Sequence, residues 1–144
     1  MKIEELFKIK TKAGIVACSN ALDERAREKV AKVEQILANL NVESICSNYL
    51  YADENGNSAS GMERAKALME YYKNPEITEI FDVSGGDLAN ETLSYLDYEL
   101  ISNTSKRFWG YSDLTTIINA IYTKTGKESI LYQVRFLKEE AAEE

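Results

Sequence analysis

Histidine is absent from the 144-residue sequence, and this absence limits the chemistry that the chain can perform by itself. A mechanism that needs an imidazole base, or a metal held by imidazole, must take that group from outside the chain. We expect neither a metal site nor an organic cofactor here.

Basic residues are also scarce, 17 against 24 acidic ones, which gives a formal charge of −7. Nucleic-acid phosphates demand a clustered basic face, so this balance argues against such a partner. No run approaches the roughly 18 apolar residues of a membrane span, and acidic Glu4 and Glu5 stand where a signal peptide has its apolar core. The two cysteines, Cys18 and Cys46, are predicted to be buried, reduced thiols. We therefore expect a cytoplasmic protein with no membrane contact.

The hydrophobic pattern alternates between strand and helix periods along the chain. Short apolar runs predict five strands, at residues 14–19, 42–50, 77–83, 107–110 and 130–136. Helical spacing predicts helices at residues 23–40, 60–74, 87–95, 98–101 and 114–126. Short connections between such elements favour an α/β fold, a mainly parallel sheet flanked by helices on both faces. Residues 1–137 are predicted to form this domain, and residues 138–144 a charged tail.

The helix that follows Ser60 has the clearest start signal in the sequence. Glu63 stands three residues after Ser60, which is the spacing of a capping box. Met62, Ala65, Met69 and Tyr72 fall at helical spacing and are predicted to form its buried stripe.

Three strand ends carry residues that could support chemistry, because open parallel sheets place their sites at the carboxyl ends of strands. The third end runs from a strand through Gly110 and Ser112 into a helix, which resembles a nucleophile elbow. Leu114 replaces the second glycine of an esterase elbow, and Ser112 could instead simply cap the following helix. The three ends are Cys18-Ser19-Asn20, Ser84-Gly85-Gly86-Asp87 and Gly110-Tyr111-Ser112-Asp113.

The Gly85-Gly86 pair leaves backbone N–H groups unobstructed at the neighbouring strand end, as an oxyanion hole requires. The main-chain N–H of Asp113 would be the second donor. A plain turn or a phosphate cradle explains the diglycine equally well. Cys18 is another possible nucleophile, but nothing near it in sequence would lower its pKa. Lys106 precedes its strand, so as a base it would lie too far from Ser112.

Five segments, in this order, resemble the LD-carboxypeptidase family of muramoyl-tetrapeptide carboxypeptidases and microcin C immunity peptidases. The similar region extends over residues 14–126 and includes residues 120–126. The segments are Glu63-Arg64-Ala65, Asn74-Pro75-Glu76-Ile77, Gly85-Gly86, Tyr95-Leu96-Asp97-Tyr98 and Gly110-Tyr111-Ser112-Asp113-Leu114-Thr115.

This resemblance implies a flavodoxin-like or class I glutamine-amidotransferase-like sandwich. It implies that Ser112 is the nucleophile, with Gly86 and Asp113 lending backbone N–H groups to the oxyanion hole. It also implies a peptide or muropeptide substrate, and a second, carboxy-terminal domain that supplies the histidine and glutamate of the triad. The chain alone would then be inactive.

The sequence departs from the family pattern after Gly126, where residues 127–135 replace a stretch that often contains Gly-Pro. The charged tail stands where a linker to the second domain should begin. Two other interpretations stay open: a non-catalytic module that binds an anion at Gly85-Gly86, and a structural half that associates with a partner or forms a homodimer.

Overall fold

A computed structural model describes Phe7 and residues 9–138, and its centre is one five-stranded sheet. The strands lie in the order β2-β1-β3-β4-β5, and all four neighbouring pairs are parallel. This is the strand order of flavodoxin-like folds, so the predicted fold class is confirmed. The strands are β1 (Thr11–Val16), β2 (Val42–Cys46), β3 (Glu79–Asp82), β4 (Arg107–Gly110) and β5 (Ile130–Leu131).

Helices cover both faces of this sheet. The helix α1 (Arg27–Asn39) buries its apolar stripe on one face, against side chains such as Ile15 and Phe81. The other face is covered by α2 (Gly61–Lys73), α3 (Tyr98–Ser102) and α4 (Thr115–Thr125). Short 3-10 helices occupy Glu24–Ala26, Ala89–Tyr95, Ser112–Leu114 and Val134–Phe136. Within the described part of the chain, no helix has the length and apolar character to cross a membrane.

The start of α2 forms the capping box that its sequence predicts. The Ser60 hydroxyl accepts the N–H of Glu63, and the Glu63 carboxylate accepts the N–H of Ser60. One predicted member of the buried stripe, Met62, is instead 57% exposed. The buried face of α2 includes Arg64 as well as Ala65, and Met62 lies outside this face, on the solvent side.

The predicted strand at residues 130–136 is mostly wrong, because only Ile130 and Leu131 pair in the sheet. Their partners on β4 are Trp109 and Gly110, the last residues of that strand. Since β4 ends there, a longer β5 has nothing to pair with. Two other strand predictions were displaced: β1 starts at residue 11, and β2 stops at residue 46 rather than 50. The tail at residues 139–144 and the start at residues 1–6 lie outside the described residues.

Candidate active site

The three strand ends singled out in the sequence meet at one edge of the sheet. Strands β1, β3 and β4 are neighbours and parallel, so their carboxyl ends point the same way. The N–H of Asn20 donates to the carbonyl of Gly85 at 3.2 Å, which joins the ends of β1 and β3. The carboxylate of Asp113 accepts the N–H of Ala89 at 2.9 Å, which joins the ends of β4 and β3.

Ser112 occupies a sharp turn between β4 and α4. Tyr111 is still extended, whereas Ser112 has a φ of 57°, a left-handed conformation that non-glycine residues seldom adopt. Ser112 does not cap the helix, because the caps on either side are Tyr111 and Leu114 and neither uses a side-chain bond. The Thr115 hydroxyl donates to the Ser112 carbonyl at 2.9 Å. The capping alternative is therefore wrong, and Ser112 lies in a left-handed turn between the strand and the helix.

Gly110 permits this turn by its lack of a side chain. A Cβ at this position would lie 2.8 Å from the Cβ of Leu114 and 3.0 Å from the ring of Phe108. Both neighbours are buried in the core, so neither can withdraw into solvent. The backbone can thus pass closely under Ser112 only with glycine at residue 110.

The diglycine loop after β3 is shaped around Asn20. Gly86 has a φ of 125°, and a Cβ there would lie 2.2 Å from the Asn20 side-chain oxygen. That oxygen accepts the N–H of Asp87 at 2.9 Å. Within residues 9–138, the amides of Gly86 and Asp113 donate to no other group. Both N–H groups remain available to a ligand at this edge.

Asp113 and Ser19 contribute side chains that the sequence did not single out for a role. The Ser19 hydroxyl donates to the Asp113 carboxylate at 2.6 Å, and its oxygen lies 3.3 Å from the N–H of Leu88. The N–H of Ser19 donates to the Ser84 hydroxyl at 2.9 Å. Ser19 is fully buried among these partners. Its position directly after a buried strand was the available signal, but residues 19 and 113 are 94 apart in sequence.

Arg64 is the second contribution that sequence analysis missed. It is almost fully buried, and its guanidinium donates to the carbonyls of Cys18, Ala59 and Leu88. It also pairs with the Glu91 carboxylate at 2.8 Å. Arg64 thereby ties α2 to the ends of β1 and β3. The sequence feature that could have indicated this burial is the position of the arginine next to the apolar stripe of its helix.

Asp82 and Cys18 are buried titratable groups directly under the site. Burial raises the pKa of Asp82, although its carboxylate accepts the N–H groups of Cys18 and Ser84 and the Ser84 hydroxyl. Burial also raises the pKa of the Cys18 thiol well above its usual value, with nearby Asp82 adding to the effect. A thiol held protonated is a poor nucleophile, which agrees with a packing role for Cys18.

Cys46 and Lys106 lie away from the three strand ends. Cys46 is half-buried rather than buried, and burial raises the pKa of its thiol to about 12. Lys106 donates to the carbonyls of Asn74 and Ile77, which precede β3. This places Lys106 at the amino end of the sheet, opposite Ser112, as its position in the sequence predicts.

Residues 13–132 match the model of the LD-carboxypeptidase N-terminal domain. The microcin C7 self-immunity protein MccF of Escherichia coli is 45% identical over 64 residues, 44% of this chain and 19% of its own length. A probable murein peptide carboxypeptidase of Bacillus subtilis is 34% identical over 64 residues, 44% of this chain and 20% of its own length.

A solved structure of MccF in complex with glutamyl sulfamoyl guanosine shares the fold, with a TM-score of 0.77 at 28% identity. The similarity covers 83% of this chain and 36% of that chain. An active-site mutant of MccF, in which a serine is one of three residues replaced by alanine, aligns equally well. The chain thus spans well under half the length of the relatives it matches.

Proposed function

Because the chain belongs to the family of LD-carboxypeptidase N-terminal domains, we propose that it is the nucleophile-bearing half of a serine carboxypeptidase. The bond it helps to cleave is an amide next to a D-amino acid, as in an LD-peptide of murein recycling, or a related peptide conjugate. Two relatives support this range of substrates by their names, a probable murein peptide carboxypeptidase and a self-immunity protein bound to glutamyl sulfamoyl guanosine.

The observation that carries the proposal is the left-handed backbone of Ser112 at the junction of β4 and α4. Strain of this kind persists only where the surrounding structure imposes it, and it is concentrated at functional sites. The serine replaced in the active-site mutant of MccF supports the same assignment.

In the proposed reaction, the Ser112 hydroxyl oxygen attacks the scissile carbonyl carbon. A histidine from the second domain takes the hydroxyl proton and returns it to the leaving amine, and a glutamate orients that histidine. The N–H groups of Gly86 and Asp113 receive the negative oxygen of the tetrahedral intermediate. Water then cleaves the acyl-serine ester and releases the acid.

Alone, the chain has the serine and the oxyanion donors but no imidazole, since its sequence contains no histidine. Removing triad members typically costs about 10⁴- to 10⁶-fold in rate, and the members act as a unit. The chain by itself is therefore inactive in this proposal. We also place it in the cytoplasm, a proposal supported by free Cys18 and Cys46.

The test is to treat the purified chain with a fluorophosphonate probe and with LD-tetrapeptide, then repeat both after adding the carboxy-terminal domain of a relative. We expect no labelling and no D-alanine release at first, and partial recovery of both once the second domain docks. Ser112→Ala should abolish the recovered signal, whereas Ser105→Ala, which alters an exposed serine at the opposite edge, should preserve it.

Two results would contradict the proposal. Labelling of Ser112 in the isolated chain would mean that a base exists within this sequence. Stabilisation by inorganic phosphate that is equal in the native chain and in Ser112→Ala, with no hydrolysis under any condition, would favour the anion-binding module.

A further inference from the structure

Ser19 stands at the centre of a buried chain of hydrogen bonds that links all three strand ends. Its hydroxyl donates to the Asp113 carboxylate at 2.6 Å, and its N–H donates to the Ser84 hydroxyl at 2.9 Å. The Ser84 hydroxyl in turn donates to the buried carboxylate of Asp82 at 2.6 Å. A hydroxyl that donates to an ionised carboxylate makes a stronger hydrogen bond than one that donates to a neutral acceptor.

Asp113 carries two separate groups that face different partners. Its N–H is one of the two proposed oxyanion donors, whereas its carboxylate accepts the Ser19 hydroxyl and the N–H of Ala89. The other donor is Gly86, which lies in a loop directly after Gly85. A Cβ added at Gly85 would have no atom within 4 Å. A side chain at Gly85 would therefore meet no other group, and the contact made at this residue is a hydrogen bond, in which its carbonyl accepts the N–H of Asn20.

Two side chains at the end of β1 make further polar contacts at this loop. Asn20 occupies the space beside Gly86 and accepts the N–H of Asp87. Ser19 holds the Asp113 carboxylate, which also holds Ala89 at the far end of the same loop. The two proposed donors are thus connected through one short hydrogen-bonded path.

We propose that Ser19 and the Asp113 carboxylate form a clamp that sets the separation of the two oxyanion donors, with Ser19 as a positioning residue. This inference rests on the proposed function, because it assigns a purpose to the spacing of the Gly86 and Asp113 N–H groups. Ser19 does not touch the substrate. It acts by keeping the turn after β4 and the loop after β3 at one fixed distance.

The central variant is Ser19→Ala, which removes the hydroxyl and leaves the backbone bond to Ser84 intact. Its matched control is Thr92→Val, which also removes a buried hydroxyl. The Thr92 hydroxyl donates to the carbonyl of Ala89 at 2.7 Å. The control removes a hydrogen bond within the 3-10 helix Ala89–Tyr95 but leaves the bond between Ser19 and Asp113 in place. Asp113→Asn, which removes the charge and keeps the shape, should behave as an intermediate case.

The first measurement is an amide NMR spectrum of the 144-residue chain, which requires no activity. In Ser19→Ala we expect the signals of Gly86 and Asp113 to broaden or double together, since turn and loop then move independently on slow timescales. Thr92→Val should leave both signals sharp. Unchanged Gly86 and Asp113 signals in Ser19→Ala would overturn the clamp.

The second measurement is kcat and KM for D-alanine release after the second domain is added. Displacing a catalytic group by about 1 Å can cost about 100-fold, so Ser19→Ala should lower kcat by about that factor and change KM little. A fall in kcat equal to that of Thr92→Val would mean a merely structural role and would overturn the inference. If Ser112→Ala retains activity, the proposed function fails instead, and the NMR result still decides the clamp.

Discussion

At the scale of single residues, the site depends on backbone conformations that most side chains disfavour. Ser112 is left-handed, and Gly86 has a φ of 125° beside the Asn20 side chain. The left-handed conformation of Ser112 costs of order 1–3 kcal/mol and needs support from its neighbours, because Ser112 carries a side chain. Gly110 and the buried Leu114 supply this support beneath Ser112. Gly86 needs none, because it has no Cβ, and the Asn20 side chain fills the space that a Cβ would take.

Gly86→Ala tests this dependence directly. The new methyl group would overlap the Asn20 oxygen in a backbone conformation that alanine avoids, so we expect a loss of about 1–3 kcal/mol in the free energy of unfolding. Urea unfolding followed by circular dichroism measures the change. The adjacent Gly85→Ala is the control, because its Cβ meets nothing within 4 Å, and it should stay within about 0.5 kcal/mol. Equal losses in the two variants would contradict this account.

At the scale of elements, the start of α2 is set by nearby residues in the sequence, whereas the length of β5 is set by a neighbouring strand. The capping box at Ser60 and Glu63 is local in sequence and forms as expected. The length of β5 depends on β4, whose last residue, Gly110, leads into the turn that carries Ser112. The same turn that exposes the serine therefore shortens the neighbouring strand.

Arg64 connects α2 to this edge, and replacing it tests how much that connection contributes. Arg64→Met would leave the carbonyls of Cys18, Ala59 and Leu88 without their donor. Unpaired buried polar groups are costly, so we expect a loss of about 3 kcal/mol in the free energy of unfolding.

Thermal and urea unfolding measure this loss, with Lys66→Met as the control on the same helix. Lys66 is exposed, so its replacement should change stability by no more than about 0.5 kcal/mol. A value for Arg64→Met as small as that of the control would show that water replaces the arginine without penalty.

At the scale of the whole molecule, an exposed apolar cluster lies beside the site. It consists of Tyr111, Leu131 and Phe136, at and just after the carboxyl ends of β4 and β5, and the partly buried Tyr132 packs beside Phe136. Phe136 is 55% exposed and Leu131 59%, and the ring of Phe136 lies 5.6 Å from that of Tyr111. A domain that packs against a partner is expected to have such an apolar surface.

In the isolated chain, we propose that this cluster contacts a second copy. Sedimentation velocity at rising protein concentration should then show a dimer, and Phe136→Glu should weaken it by placing a charge within the contact. Tyr122→Glu is the control, because Tyr122 is equally exposed on α4 and lies outside the cluster. A chain that stays monomeric at every concentration would contradict the proposal.

The sequence alone determined the order of strands and helices, the parallel α/β fold and the meeting of three polar strand ends. Those features follow from local periodicity, capping and turn residues, and from the rule that parallel strands end at one edge. Only the tertiary structure decided the bond between Ser19 and Asp113, the burial of Arg64 and the length of β5. Each depends on groups far apart in the chain, 94 residues in the case of Ser19 and Asp113, and no local pattern records such a contact.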